Sequence, residues 1–208
     1  MNALNMNARI PTLFRTYHAR EIPLNCKIWE AARATFAAPI FFKPVIIGRE
    51  QPFIDGGLGN NNPSHLLLDE AKDLFGARQI GCLVSIGTGQ PEIISMQNPG
   101  VFQRIAAPMD VINVLNAIAT DCEATHQTML RLFGNSSNTY FRLNVEQGMQ
   151  RIEFSEWDKL ANVEAHTKQY LKRREVDERL ALLVNAIRVP RGYLTIEQLS
   201  MDDSLSQV

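Results

Sequence analysis

Cysteine is scarce, with three in 208 residues: Cys26, Cys82 and Cys122. An odd count with no Cys-x-x-Cys pair excludes a disulfide framework and a thiolate metal cage, and it points to a reducing compartment. The four histidines, His18, His65, His126 and His166, stand without ligand spacing to one another or to cysteine, so neither a metal site nor a cofactor is expected. A surplus of either charge is also missing. The net charge is −1, which gives no general attraction to nucleic acid or to an anionic surface. The strongest basic cluster, Lys172-Arg173-Arg174, is followed by Glu175, Asp177 and Glu178 and reads as a solvated helix face. Long apolar runs are absent. Stretches such as Ile80–Ile86 are strand-length and too short to cross a bilayer. Met1 to Ile10 is polar and Asn-rich, without the apolar core of a secretory signal. The expectation is a cytoplasmic chain that touches membranes at most peripherally. The last absence concerns catalysis. There is no Gly-x-Ser-x-Gly, and no glycine-rich loop precedes residue 55.

What is present suits one domain of ordinary size, 45% hydrophobic and 21% charged, as in a soluble globular protein. Leu24 to Ala38 reads as a helix that stops at Pro39, with Ile28, Trp29, Ala31, Ala32 and Thr35 expected inward. Val45-Ile46-Ile47 and Pro52-Phe53-Ile54 read as two short strands joined by a turn over residues 48–51. Asn62 and Pro63 fit the cap and first position of a helix that runs to about Phe75, with Gly76 as its left-handed end. Leu66, Leu67, Ala71 and Leu74 form its expected apolar face. Ile80–Ile86 is nearly all apolar, as in a strand buried on both faces, and strand-helix-strand order argues for an α/β layered fold. Further on, the pattern predicts a helix over residues 110–133 and a half-exposed edge strand over 138–145. Two more helices are predicted, one beginning at Ser155 with Trp157, Leu160 and Tyr170 inward and one over 176–187. A polar tail is expected from about residue 195.

The chemistry concentrates at Phe53-Ile54-Asp55-Gly56-Gly57. A serine hydroxyl is a weak nucleophile unless a base lies within hydrogen-bond reach. A carboxylate can serve as that base if it is held against the hydroxyl in a poorly solvated pocket. A strand tip followed by two glycines offers such a carboxylate with little bulk beside it. Taken alone, the tripeptide also fits a simple type I turn. Asn60-Asn61-Asn62 reads as turn and cap chemistry, and His65 as a packing or surface residue. Ser85-Ile86-Gly87-Thr88-Gly89 is not a nucleophile elbow, because Leu83 stands where the first glycine is needed. It is not a phosphate loop either, because no Lys-Ser/Thr follows.

Together these segments resemble the C-terminal half of a patatin-like phospholipase domain. The matching pieces are Pro11–Tyr17, Ile28–Pro39, Phe53–Pro63 and Leu83–Gly89, with Trp157, Leu160, Thr167 and Tyr170 similar to that family's trailing helix. The resemblance covers residues 11–187. It divides the chain into an extension over 1–10, the partial domain over 11–190 and a polar tail over 191–208. It implies a three-layer α/β/α sandwich of the patatin or lysophospholipase type with its N-terminal part missing. The implied activity is hydrolysis of lipid acyl esters by a Ser/Asp dyad, without catalytic histidine and without calcium in the chemistry. Asp55 is then the dyad base, and Gly56 and Gly57 complete the motif. The implied partners are a lipid ester substrate, transient contact with a membrane surface, and other domains or chains that complete the fold. The nucleophile serine and oxyanion loop precede this segment in the family, so the chain by itself carries half a dyad. A non-catalytic interaction protein that keeps part of the scaffold is the alternative, and an unrelated small-molecule-binding α/β domain is a third reading.

Overall fold

Phe53 is fully buried and organises the first half of the chain. A computed structural model describes residues 1–19, 24–39, 41–90, 121–150, 152, 156–189 and 195. The chain divides into two compact units, Met1–Leu74 with Arg104–Thr125, and Phe75–Gln103 with His126–Val208.

In the first unit four strands form one antiparallel sheet. They are β1 (Asn2–Asn5), β2 (Ile10–Leu13), β3 (Val45–Ile47) and β4 (Gln51–Asp55), in the order β2-β1-β4-β3. The polar start of the chain therefore supplies an inner strand. Its Asn5 side chain is satisfied by the turn that follows, accepting the N–H groups of Asn7 and Ala8 at 3.0 Å each. β3 and β4 form the expected hairpin, with Gly48 and Glu50 at positive φ (67° and 57°) in its turn.

Helix α1 (Ile28–Thr35) packs on β1, β3 and β4. Ala3, Ala34, Ile47 and Phe53 form the core, with Phe14, Leu24, Cys26 and Val45 against it. Phe14 meets Phe53 edge-on at 5.7 Å. The helix is shorter than expected, and its inner face is different. Ala31 and Ala34 face the sheet, whereas Ile28 and Trp29 are exposed. Small side chains let the helix backbone lie close to the sheet, and that approach leaves no room for tryptophan beneath it.

Helix α2 (Ser64–Phe75) begins as predicted. Asn62 Oδ1 accepts the Ser64 N–H at 3.3 Å and the Ser64 hydroxyl at 2.7 Å, and Gly76 follows its end at φ 37°. Leu67 is exposed, so the expected apolar face is only partly used. The buried members of α2 are Ser64 and Glu70.

In the second unit β5 (Leu83–Ile86) pairs in parallel with β6 (Tyr140–Leu143), with Leu83 opposite Tyr140 and Ile86 opposite Leu143. Two expectations fail here. The strand at residues 80–86 is not buried on both faces, since Ile86 is 76% exposed. The strand at residues 138–145 is not half-exposed, since Tyr140, Phe141, Arg142, Asn144 and Val145 are all buried. Its polar residues point to partners, not to water. Arg142 Nη1 donates to Ser85 Oγ at 2.9 Å, and Asn144 Oδ1 accepts the Gly89 N–H at 2.8 Å. Helix α3 (Glu123–Leu132) covers the C-terminal part of the helix predicted over 110–133. Residues 110–120 lie outside the described residues, as does the predicted helix start at Ser155.

Helices α4 (Leu160–Leu171) and α5 (Arg174–Arg188) follow a short 3-10 turn at Trp157–Lys159. Tyr170 and Val176 pack with Val145, and Leu183 is buried further along α5. Trp157 and Leu160, expected inward, are exposed. Lys172 and Arg174 of the basic cluster are solvated as predicted, with Arg174 bonded to Glu178 at 2.8 Å, whereas Arg173 is half-buried and bonded to Glu146 at 2.8 Å. Among the described residues, Thr195 of the predicted tail bridges to Gln79. No described helix is long and apolar enough to cross a membrane.

Candidate active site

Asp55 is the last residue of β4, the strand beside β1 and β3. Side chains alternate along a strand, so Asp55 projects from the same face as Phe53, the face that carries the core and α1. Its register partner Ala3 is fully buried. Its own N–H donates to Ala37 O at 3.0 Å, which ties the strand tip to the segment that leaves α1. One carboxylate oxygen, Oδ1, accepts the Gly57 N–H at 2.7 Å. The other makes no hydrogen bond among the described residues. The carboxylate is thus oriented by one backbone donor and keeps an oxygen available.

The two glycines are constrained to different degrees. At Gly56 a Cβ would lie 1.7 Å from Asn2 Oδ1 and 2.7 Å from Asn2 O, so β1 occupies the space where a side chain would be. Asn2 is held there because its carbonyl accepts the Thr35 hydroxyl. Gly57 is less constrained, since a Cβ there would lie 3.1 Å from Asp55 Oδ1. Beyond them Gly57–Asn60 makes a short helical turn, interrupted at Leu58 and at Gly59 (φ 89°), which delivers the chain to Asn62. Gly56→Ala is expected to displace β1 and to cost about 1–3 kcal/mol, the range for overpacking a filled site. Chemical denaturation checks this, and unchanged stability would show that β1 yields freely.

One ionic cluster fixes α2 beside this turn. Glu70, nearly buried on α2, accepts Arg15 Nε at 2.5 Å and Arg15 Nη2 at 2.6 Å, and it accepts the Tyr17 hydroxyl at 3.1 Å. The Arg15 hydrogen bonds hold the Glu70 carboxyl below the usual carboxylate range, against burial, which pulls the other way. Burial raises the Tyr17 hydroxyl, and the hydrogen bond to Glu70 adds to that. A groove of about 430 Å³ lies along β2 and α2, lined by Arg15, Leu66, Asp69, Glu70 and Asp73 among others.

Of the other residues marked in the sequence, Asn62 is a cap that also donates to Cys122 O at 3.3 Å. His65 is half-buried on α2. Ser85 is buried and its hydroxyl is engaged by Arg142. Burial pushes the Cys26 and Cys82 thiols up, the direction opposite to a reactive thiolate. No group of residues fit to hold a metal ion occurs among the described residues. Asn2 and the Arg15–Glu70 pair were not found from sequence. Each acts across more than fifty positions, and no short-range pattern marks such a contact.

Residues 3–68 match the family model described as patatin-like phospholipase. Curated relatives extend the match. Calcium-independent phospholipase A2-gamma of Rattus norvegicus is 32% identical over 175 residues, covering 84% of this chain and 21% of the relative. The Homo sapiens protein of the same name is 34% identical over 150 residues, covering 72% and 18%. Patatin-like phospholipase 1 of Plasmodium falciparum is 30% identical over 135 residues, covering 57% and 20%. The chain thus spans about a fifth of the length of these relatives. The aspartate-glycine-glycine turn and the strands and helices around it lie inside the matched residues, and this chain carries part of a patatin-like phospholipase domain.

Proposed function

We propose that this chain is the aspartate-bearing part of a lipid acyl-ester hydrolase, with Asp55 as the base of a Ser/Asp dyad and a three-layer α/β/α sandwich as the complete domain. The observation that carries this reading is the placement of Asp55. It sits at a strand end, oriented by the Gly57 N–H, with one carboxylate oxygen uncommitted and no side chain at the next two positions. The substrate class follows from relatives named as phospholipases. A cytoplasmic setting is part of the same proposal.

In the proposed reaction the serine comes from residues outside these 208. Its hydroxyl proton passes to Asp55 as Oγ attacks the ester carbonyl, and backbone N–H groups hold the oxyanion. The proton then goes to the departing lipid alcohol, leaving an acyl-serine. Water attacks that acyl group with Asp55 again as base, releasing the fatty acid and regenerating the hydroxyl.

The test uses a chimera in which this chain replaces the segment of rat calcium-independent phospholipase A2-gamma with which it aligns. The chimera is expected to hydrolyse phospholipid and to react with a fluorophosphonate probe, whereas the 208-residue chain alone does neither. Labelling of a serine in the isolated chain would place the nucleophile within it and overturn the proposal.

A further inference from the structure

The face of α1 turned away from the sheet is aromatic. Ala31 and Ala34 point into the core. At 100° per residue the opposite direction belongs to Trp29 and Phe36, with Arg33 beside them. A surface helix normally shows charge there. Instead Trp29 is 61% exposed and Phe36 50%, next to Ile28 at 77%.

This face continues past the helix. The Phe36 ring meets Phe42 at 4.9 Å. Arg33 lies over the Phe42 ring at 5.1 Å and donates to Lys43 O at 3.0 Å. Phe41 adds another half-exposed ring. Exposed lysines flank this face in the chain, Lys27 just before the helix and Lys43 just after Phe42, and Glu30 accepts the Lys27 backbone N–H; the Arg33 guanidinium is half-buried and already engaged by Phe42 and Lys43 O. In a chain of net charge −1 this surplus is local. The segment that leaves α1 after Phe36 is tied to the strand that carries the candidate base, because Ala37 O accepts the Asp55 N–H.

We propose that this face docks on an anionic bilayer, with Trp29, Phe36 and Phe41 at headgroup depth and Lys27 and Lys43 against lipid phosphates. It rests on the hydrolase reading and names the surface from which the ester is drawn. A second copy of the chain is a poorer occupant. A two-fold interface sets the patch against its own copy, so two surfaces with the same cationic surplus would face each other.

The chain has two tryptophans, so Trp157→Phe leaves Trp29 as the only emitter. That variant is mixed with vesicles of ether-linked phosphatidylcholine and phosphatidylserine, which cannot be hydrolysed. The expected result is a blue shift of Trp29 emission and co-sedimentation, both weakened by salt and absent with phosphatidylcholine alone. In the full chain, Trp29→Ser and Phe36→Ser are each expected to weaken partitioning by roughly tenfold, the effect of withdrawing one large apolar side chain. Both sites are exposed, and circular dichroism checks that the variants keep their helices. Asp55→Asn should bind like the parent chain, so a failed catalytic reading leaves this result standing. Unshifted Trp29 emission would overturn the proposal, as would equal binding to neutral vesicles. So would a concentration-dependent dimer that dissociates on Phe36→Ser, which would identify a second copy as the occupant.

Discussion

Asp55→Asn in the chimera is expected to lower kcat/KM for phospholipid hydrolysis by roughly 10²–10⁴-fold, the range for losing a positioned general base. The substitution is chosen for what it preserves. Asparagine keeps an oxygen that can accept the Gly57 N–H and the backbone N–H that donates to Ala37 O, so the strand end keeps its shape. It removes only the ability to take a proton from serine and later from water. The expected pattern is therefore a fall in kcat with little change in KM and an unaltered melting curve. Loss of stability in step with activity would mean that Asp55 is a turn residue, the alternative its tripeptide leaves open.

The second large effect concerns folding. Glu70→Ala is expected to destabilise the chain by about 3–5 kcal/mol, because it breaks a nearly buried, doubly hydrogen-bonded ion pair with Arg15. Glu70→Gln preserves the shape but not the charge and should fall between. The pH dependence follows from the sign of the shift. The folded Glu70 carboxyl lies below its ordinary value, chiefly through the Arg15 hydrogen bonds. Its contribution is then complete above the unfolded-state value, about 4.3, and is lost as pH falls through the lower folded value. Urea midpoints should hold from neutrality down to about pH 4.5 and decline below it. That acid limb should be reduced in Glu70→Gln. An identical limb in that variant would assign the acid sensitivity to other carboxylates.

What could be read from sequence was what local chemistry decides. The β3–β4 hairpin, the strand-end position of Asp55 and the Asn62 cap each depend on neighbours within a few positions, and each stands where expected. Burial was harder to read. In α1 periodicity points Ile28 and Trp29 inward, but small size decides the packing and Ala31 and Ala34 take the sheet. In β6 the alternation of Arg142 and Asn144 with apolar residues suggested an exposed face. These polar side chains were instead consumed by Ser85 and Gly89, partners more than fifty positions away. The candidate site shows the same division. Asp55, Gly56 and Gly57 could be marked from their own sequence, whereas the reason Gly56 must be glycine lies in Asn2, on a strand that reads as a polar extension.

The most direct test of the dyad is a double-mutant cycle in the chimera. Its arms are Asp55→Asn, alanine at the host's nucleophilic serine, and both changes together. Two residues that act as one unit are strongly non-additive. The double variant is expected to hydrolyse phospholipid about as slowly as the slower single variant. Losses that multiply would contradict the dyad and make Asp55 independent of the serine.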